Sequence, residues 1–482
     1  MRRIFNILAK NWPLVILLFI GVFLRFYKFP EYVTFLGDQG RDAIVLKRIL
    51  TLEHLPAIGA PTSVGQVYLG PFYYYFIAPW LLLFAYNPIG PAVGVLFFSC
   101  LYLALNYFIV KELFDKKIAL ISTLFISFSY VLIELSRFSW NPNLMPLFTL
   151  LTVYFFVKGL KTGKWLFYLL FGAFLSFAVQ LHYLALFLIP PLGILGLIHL
   201  FKNKKHFISN LFNFFTSFFS FGIFSSPLII FDLRHQFLNT KNFINLFNSS
   251  STASVNKITS LLETFRSLNQ FSFSFNFGLF SSSIILLLII IVFLTLVKKD
   301  KPITTFLFIF LSLIIGFSLY SGEKHPHYFG VIYPVYFVIV GYFVSFLFEG
   351  AWEKYLAYLF IFAFLFLNFQ KYNFLRYRGD WQLDRSKKVA QIIFDNVKKD
   401  KYTVTSLPEK YSDSTYRYYL ELWEKRPIEK DSLNKADELF VVCEKECRPV
   451  INNPQWDIAY FAPVKIVNEW KVDSIKIYKL TR

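Results

Sequence analysis

The sequence predicts an all-α polytopic membrane domain of about eleven spans, followed by a small soluble α/β domain. Three observations carry this expectation. Hydrophobic residues fill 56% of the 482 positions and charged residues only 16%, too little polar surface to cover a soluble chain of this length. Apolar runs recur that reach the ~20 residues needed to cross a bilayer. The composition then changes sharply after residue 371, where charged residues become frequent.

Net charge is +19, from 49 basic and 30 acidic residues. The basic residues are spread over short loops rather than gathered on one face. That is the signature of cytoplasmic loops meeting anionic lipid, and it speaks against nucleic-acid binding. The 62 Phe residues reflect a compositional bias and define no function by themselves. Cys100 sits in an apolar run as a small packed residue. Cys443 and Cys447 are spaced for a disulfide if the tail lies outside the cell, and make a poor zinc site without further ligands.

Taken in order, Arg2, Arg3 and Lys10 precede an apolar run from Pro13 to Leu24. No small-x-small cleavage site follows, so the run reads as an uncleaved first span whose start is cytoplasmic. The stretch Phe35 to His54 comes next. It opens with Asp38-Gln39-Gly40-Arg41, a loop entering a helix, and turns amphipathic from Asp42. Such a helix is expected to lie at the membrane surface, its basic face toward headgroups, as the roof of an active site. Gly70-Pro71-Phe72-Tyr73-Tyr74-Tyr75 opens a segment running to Tyr86. It is short, interrupted by Pro79 and rich in interface-loving aromatics, so it reads as an interfacial helix.

Full spans follow near 91–110, 118–135, 143–158, 165–181, 184–200, 207–231, 280–297, 303–320, 328–348 and 354–371. Loop charge tests this layout. The loops placed inside carry the N-terminal cations, then Lys111, Lys116, Lys117, Lys158, Lys161, Lys164, Lys202, Lys204, Lys205, Lys298, Lys299, Lys301 and Lys354. The short loops placed outside carry only Arg137 and Lys324. Counting 71–86 as a span would reverse that contrast. The layout therefore puts the N-terminus on the cytoplasmic side and the tail outside, and the membrane is expected to be the plasma (inner) membrane. The loop 232–279 has little periodicity and reads as a mobile lid. In the tail 372–482, helices are expected over 384–398 and 412–425. Strands are expected over 402–406, 439–443, 464–467 and 474–478.

The candidate chemistry lies at the outer ends of these elements. Asp38 is placed to act as general base on an acceptor hydroxyl, or else to cap its helix. Asp42 is placed to hold Arg41 or Lys47, bind a metal, or favour the helix N-terminus. Arg25 and Lys28 end the first span, and Arg137 sits in Ser136-Arg137-Phe138-Ser139-Trp140-Asn141-Pro142-Asn143. His182 sits in Gln180-Leu181-His182-Tyr183, and Lys324, His325 and His327 in Glu323-Lys324-His325-Pro326-His327-Tyr328. Acids and cations thus share one side and one depth, as a phosphate leaving group requires. The set reads as Arg137, Lys324, His325, His327, Arg25 and Lys28 for phosphate, with Arg41, His182, Tyr183 and Tyr74 for substrate. His325 and His327 with Asp38 or Asp42 leave a divalent cation open.

These residues resemble the GT-C glycosyltransferases, in particular the bacterial relatives of protein O-mannosyltransferases and lipid A aminoarabinose transferases. The resemblance covers about 1–371 and is clearest over 20–200. It rests on Arg25-Phe26-Tyr27-Lys28, the acid-bearing first loop, Gly70-Pro71-Phe72-Tyr73-Tyr74, Ser136-Arg137 with Asn141-Pro142-Asn143, and Gln180-Leu181-His182-Tyr183. It implies a helical membrane domain (1–371) with interfacial helices in the first outer loop (30–90) and a variable tail. The implied activity is inverting transfer of a sugar from a polyprenyl-phosphate carrier to a protein, lipid or glycan acceptor. The family's essential acid, often the first of an Asp-Glu pair, falls on Asp38. Gln39 departs from that pattern, which makes Asp42 the rival second acid. Arg137 is the best match for a phosphate-binding cation, with His327 or Lys324 near the late span. A transporter or lipid flippase would keep ionisable residues near mid-membrane. A polysaccharide polymerase or ligase would lean on Arg-rich outer loops.

Overall fold

The fold was taken from a computed structural model that describes residues 11–62, 66–250, 256–297, 302–320, 322–429, 435–445, 447, 449–462 and 464–481. Arg2, Arg3 and Lys10, and Lys298, Lys299 and Lys301, lie outside the described residues.

Apolar helices occupy every expected span. They are Trp12–Phe26, Ile89–Leu113, Lys116–Phe128 continued by Tyr130–Leu135, Met145–Thr162, Trp165–Leu181, Ile189–Lys202, Phe207–Arg234, Leu279–Leu296, Pro302–Ser318, Tyr333–Leu347 and Glu353–Phe369. Among the described residues, 5 helical stretches are both long and apolar enough to cross a membrane by themselves. Phe19, Phe218, Phe280 and Phe362 are exposed on the outside of the bundle, where a soluble protein would place polar residues and lipid takes apolar ones. The chain is an integral membrane protein. Phe72–Leu83 is a helix of 12 residues, half a span, as its aromatic sequence indicated.

The two sets of loops separate to opposite ends of the bundle. Tyr154 donates to Glu112 at 2.8 Å, and the Lys117 ammonium lies 5.6 Å from the Phe348 ring, which joins the basic loops at one end. At the other end Tyr73 meets Ser139 at 2.5 Å, and Asn239 donates to the Tyr68 carbonyl at 3.0 Å. Three 3-10 turns, Asn141–Leu144, Tyr183–Leu188 and Pro326–Val331, lead into helices at this end. Pro142 and Pro326 stand in the first turn of two of them, where a fixed φ and a missing N–H cost nothing.

The tail forms a four-stranded sheet of β1 (Tyr402–Leu407), β2 (Glu438–Cys443), β3 (Lys465–Val472) and β4 (Ile475–Thr481), in the order β1-β2-β4-β3. β1 and β2 are parallel, and the other pairs are antiparallel. The helix Ser414–Leu422 makes the crossover that a parallel pair requires. Cys443 and Cys447 are joined in a disulfide.

Two expectations need correction. The stretch 232–279 is regular where its sequence shows little periodicity. It holds the helices Leu238–Ser250 and Lys257–Phe273, and Phe265, Leu268 and Asn269 of the second are buried. Phe265, Leu268 and Phe273 of this stretch are core contacts, while Phe237, Leu238 and Phe275 stay exposed. The basic face of the first-loop helix does not meet headgroups either. Arg48 Nη2 lies 2.7 Å from Glu421 and 2.9 Å from Glu429, and Lys47 lies 3.2 Å from Glu421. These two acids come from the tail, some 370 residues further on in sequence, so local periodicity could not reveal them.

Candidate active site

The carboxylates stand on the helix Gly37–Leu50. Gln39 Oε1 accepts from the Leu36 backbone N–H at 3.0 Å. The side chain at the family's second-acid position therefore closes the helix start and takes no part in the acid pair. Asp38 and Asp42 lie one turn apart on one face, with Arg41 between them. Arg41 Nη1 reaches Asp38 at 2.9 Å, while its Nη2 and Nε reach Asp42 Oδ1 at 2.8 and 3.0 Å.

The two carboxylates live in different surroundings. The Asp38 side chain is 50% exposed and that of Asp42 is 1% exposed. Tyr74 donates to Asp42 Oδ1 at 3.1 Å, and Asp42 Oδ2 is buried with no partner among the described residues. Burial pushes the Asp42 carboxyl above the usual carboxylate range, against the pull of Arg41. The guanidinium is held more firmly charged than usual: burial opposes this, and Asp42 more than offsets it. Burial beside Asp42 drives both Tyr73 and Tyr74 hydroxyls well above their ordinary range, so both stay protonated donors.

Contacts lead from this pair toward the late spans. Tyr73 meets Ser139, whose neighbour Trp140 lies 4.4 Å from the His327 ring. His325 and His327 stack in parallel at 5.7 Å. His182 lies 6.2 Å from His327 and 5.2 Å from Tyr328. Lys324 donates to the Tyr320 carbonyl at 3.1 Å, and burial lowers its pKa. Gly70 and Gln180 also meet, since a Cβ on Gly70 would fall 2.2 Å from the Gln180 side chain. The motifs over Tyr73-Tyr74, Ser139-Trp140, His182 and Lys324 to His327 are thus brought together by this run of contacts.

Several residues read as phosphate or substrate ligands are engaged elsewhere. Arg25 is fully buried and donates to Ser99 and to the carbonyls of Gly21, Ile126 and Ser127, pinning three helices together. Lys28 donates to the Tyr377 carbonyl at 2.9 Å. Arg137 donates to the Leu24 and Tyr27 carbonyls and lies 3.8 Å from the Phe374 ring. Its Nη2 bonds and the Phe374 contact tie the end of the first span to the tail linker, while Nε and Nη1 are buried without a hydrogen-bond partner among the described residues. Tyr183 donates to the Tyr68 carbonyl and accepts from Asn239, which makes it a loop tie. Burial lowers His182 to about 4 and His327 to about 3, which keeps these rings neutral at pH 7. Among the described residues, no three His, Cys, Asp or Glu side chains converge where a metal ion would sit, so the His325, His327 and Asp38 or Asp42 combination does not assemble. Tyr73, Ser139 and Trp140 were not singled out from the sequence. They lie inside quoted motifs, but a run of tyrosines does not reveal which one faces an acid.

Residues 69–230 match the family model for dolichyl-phosphate-mannose-protein mannosyltransferase. No curated protein matches the chain. Among solved structures, ArnT from Cupriavidus metallidurans bound to undecaprenyl phosphate superposes with a TM-score of 0.61 at 10% identity, over 98% of this chain and 98% of that one. The archaeal oligosaccharyltransferase AglB from Archaeoglobus fulgidus, in complex with an inhibitory peptide and a dolichol-phosphate, gives 0.53 at 13% identity, over 90% of this chain and 70% of that one. The resemblance read from the residues is borne out: the chain has the GT-C membrane fold, and the family match indicates a glycosyltransferase.

Proposed function

We propose that the chain moves a sugar from a polyprenyl-phosphate carrier to an acceptor hydroxyl at the outer face of the membrane, with inversion at the anomeric carbon. The observation that carries this reading is the pair Asp38 and Asp42, one exposed and one buried, held together by Arg41. Asp38 takes the acceptor proton. The acceptor oxygen attacks the anomeric carbon from the face opposite the carrier phosphate, and the sugar–phosphate bond breaks. Arg41, paired with both carboxylates, orients Asp38, and Lys324 is the candidate cation for the charge on the leaving phosphate. Asp42 and Tyr74 hold Arg41 in place. The complexes of the two similar structures with undecaprenyl phosphate and dolichol-phosphate support a lipid-phosphate donor.

The test is transfer from a panel of polyprenyl-phosphate sugars by wild type and Asp38→Asn. Loss of a general base lowers the rate by roughly 10²–10⁴. Comparable transfer by the two proteins would remove Asp38 from this role. Failure of the wild type with every donor, together with binding of another solute, would replace the transferase with a transporter.

A further inference from the structure

A cavity of about 1460 Å³ lies outside the carboxylate site, in the tail. It opens beyond the carboxyl ends of the parallel strands β1 and β2, where Pro408, Tyr411, Glu444 and Lys445 line it. Ligands of open α/β sheets collect at such strand ends. The start of the helix Gln382–Asn396 supplies Arg385, and Leu36 closes the near side. Leu36 is two residues from Asp38 and caps the helix that bears it.

We infer that this cleft binds the acceptor, and that the acceptor is an extended glycan. The inference deepens the transferase reading and rests on it. The volume exceeds the roughly 300–1,000 Å³ of a small-molecule pocket, so the cleft suits a chain rather than a monomer. Its lining mixes the aromatic rings of Tyr411 and Tyr478 with the acceptors Asp380 and Glu444 and the donors Arg385 and Lys445. A sugar ring presents an apolar C–H face to aromatics and hydroxyls that both donate and accept, which requires such a mixture. A polypeptide would seek an unpaired strand edge; the unpaired edges are β1 and β3, and of these two strands only Ile466 lines the cleft. Among the described residues the Arg385 guanidinium makes no hydrogen bond or ion pair. It acts on Glu444 only through space, and is thereby left to meet a ligand.

The experiment passes the full-length protein, in detergent and without lipid donor, over an array of neutral, uronate-bearing and phosphorylated oligosaccharides. Ser- and Thr-containing peptides are printed alongside. Wild type is expected to hold a defined subset of the glycans. Arg385→Ala should weaken that binding by about tenfold, the loss of one charged hydrogen bond. Ser474→Trp, on an exposed turn at the rim, should block it without touching the fold. Retention of peptides instead of glycans, retention of nothing, or glycan binding unchanged in both cleft variants would overturn the proposal. Because binding is read without a donor, a transferase that fails in the transfer assay is told apart from a cleft that fails here.

Discussion

Asp42 concentrates the physical chemistry of the site. Its carboxylate is buried, one oxygen has no partner among the described residues, and the other takes Arg41 and Tyr74 together. A hydrogen bond to a charged group contributes about 1.5–3 kcal/mol. Tyr74→Phe is therefore expected to lower kcat by roughly tenfold or more, with less effect on KM, because the hydroxyl positions Arg41 through Asp42. An unchanged kcat would separate Tyr74 from the machinery. The histidines supply a second prediction, in pH. The folded pKa values of about 4 for His182 and about 3 for His327 lie below the ordinary 6.5. Below pH 6.5 the unfolded chain binds protons that these folded rings refuse. Their stabilisation is complete above 6.5 and is lost as pH falls toward those values. Thermal unfolding in detergent should show wild type losing more Tm on acidification than His327→Phe, which keeps an aromatic ring against Trp140. Equal losses would mean that His327 is not held neutral. Asp38 was legible as an acid in an acid-poor region, and Arg41 as its neighbour. Arg25, Lys28 and Arg137, read as phosphate ligands, donate to backbone carbonyls in the structure. A cation at a span end can satisfy helix carbonyls as readily as it meets a phosphate, and only the packing decides between the two.

The helix Gly37–Leu50 shows how an element is fixed by what crosses it. A Cβ on Gly40 would lie 2.4 Å from the Thr415 backbone nitrogen, so this helix and Ser414–Leu422 touch backbone to backbone. On a free helix face, Gly→Ala stabilises by about 1 kcal/mol. Here the sign should reverse: Gly40→Ala must push the two helices apart, at a cost of ~1–3 kcal/mol for overpacking. Differential scanning measurements on the purified protein decide it, and a rise in Tm would show that the two helices do not pack as described. The apolar helices were legible because burial in lipid imposes long, uniform runs on a sequence. The tail strands were legible because they alternate or run apolar. The docking of Gly37–Leu50 on the tail was not legible, since its contacts join residues far apart and its small residues read locally as a loop. The same holds for Lys257–Phe273, whose Phe265, Leu268 and Asn269 are buried against other helices.

At the scale of the molecule, the boundary after residue 371 is one of composition more than of mechanics. One continuous cluster of buried residues runs from Phe29 and Leu46 through the spans to Val389, Tyr416, Phe440 and Ile477. Phe35 sets its ring against Tyr418 and Tyr419, and its N–H donates to Gln382 at 3.0 Å. Tyr418 donates to the Tyr86 carbonyl at 2.6 Å. Arg426 pairs with Glu53 at 2.6 Å, beside the Arg48 pairs to Glu421 and Glu429. Exposed ion pairs contribute little singly, but these surround a packed aromatic centre and share partners. The carboxylate helix thus has the short helix Phe72–Leu83 on one side and the tail on the other, and the tail is part of its support. A chain ended after Lys371 retains every apolar helix as well as Asp38, Arg41 and Asp42. It is nevertheless expected to lose hydrogen-exchange protection over 37–50 and with it the transfer reaction, because Leu46, Ala43 and Gly40 would no longer be covered on their outer side. Protection of 37–50 equal to that of the full chain, with transfer intact, would show that the spans alone order the site and that the tail acts only on the acceptor.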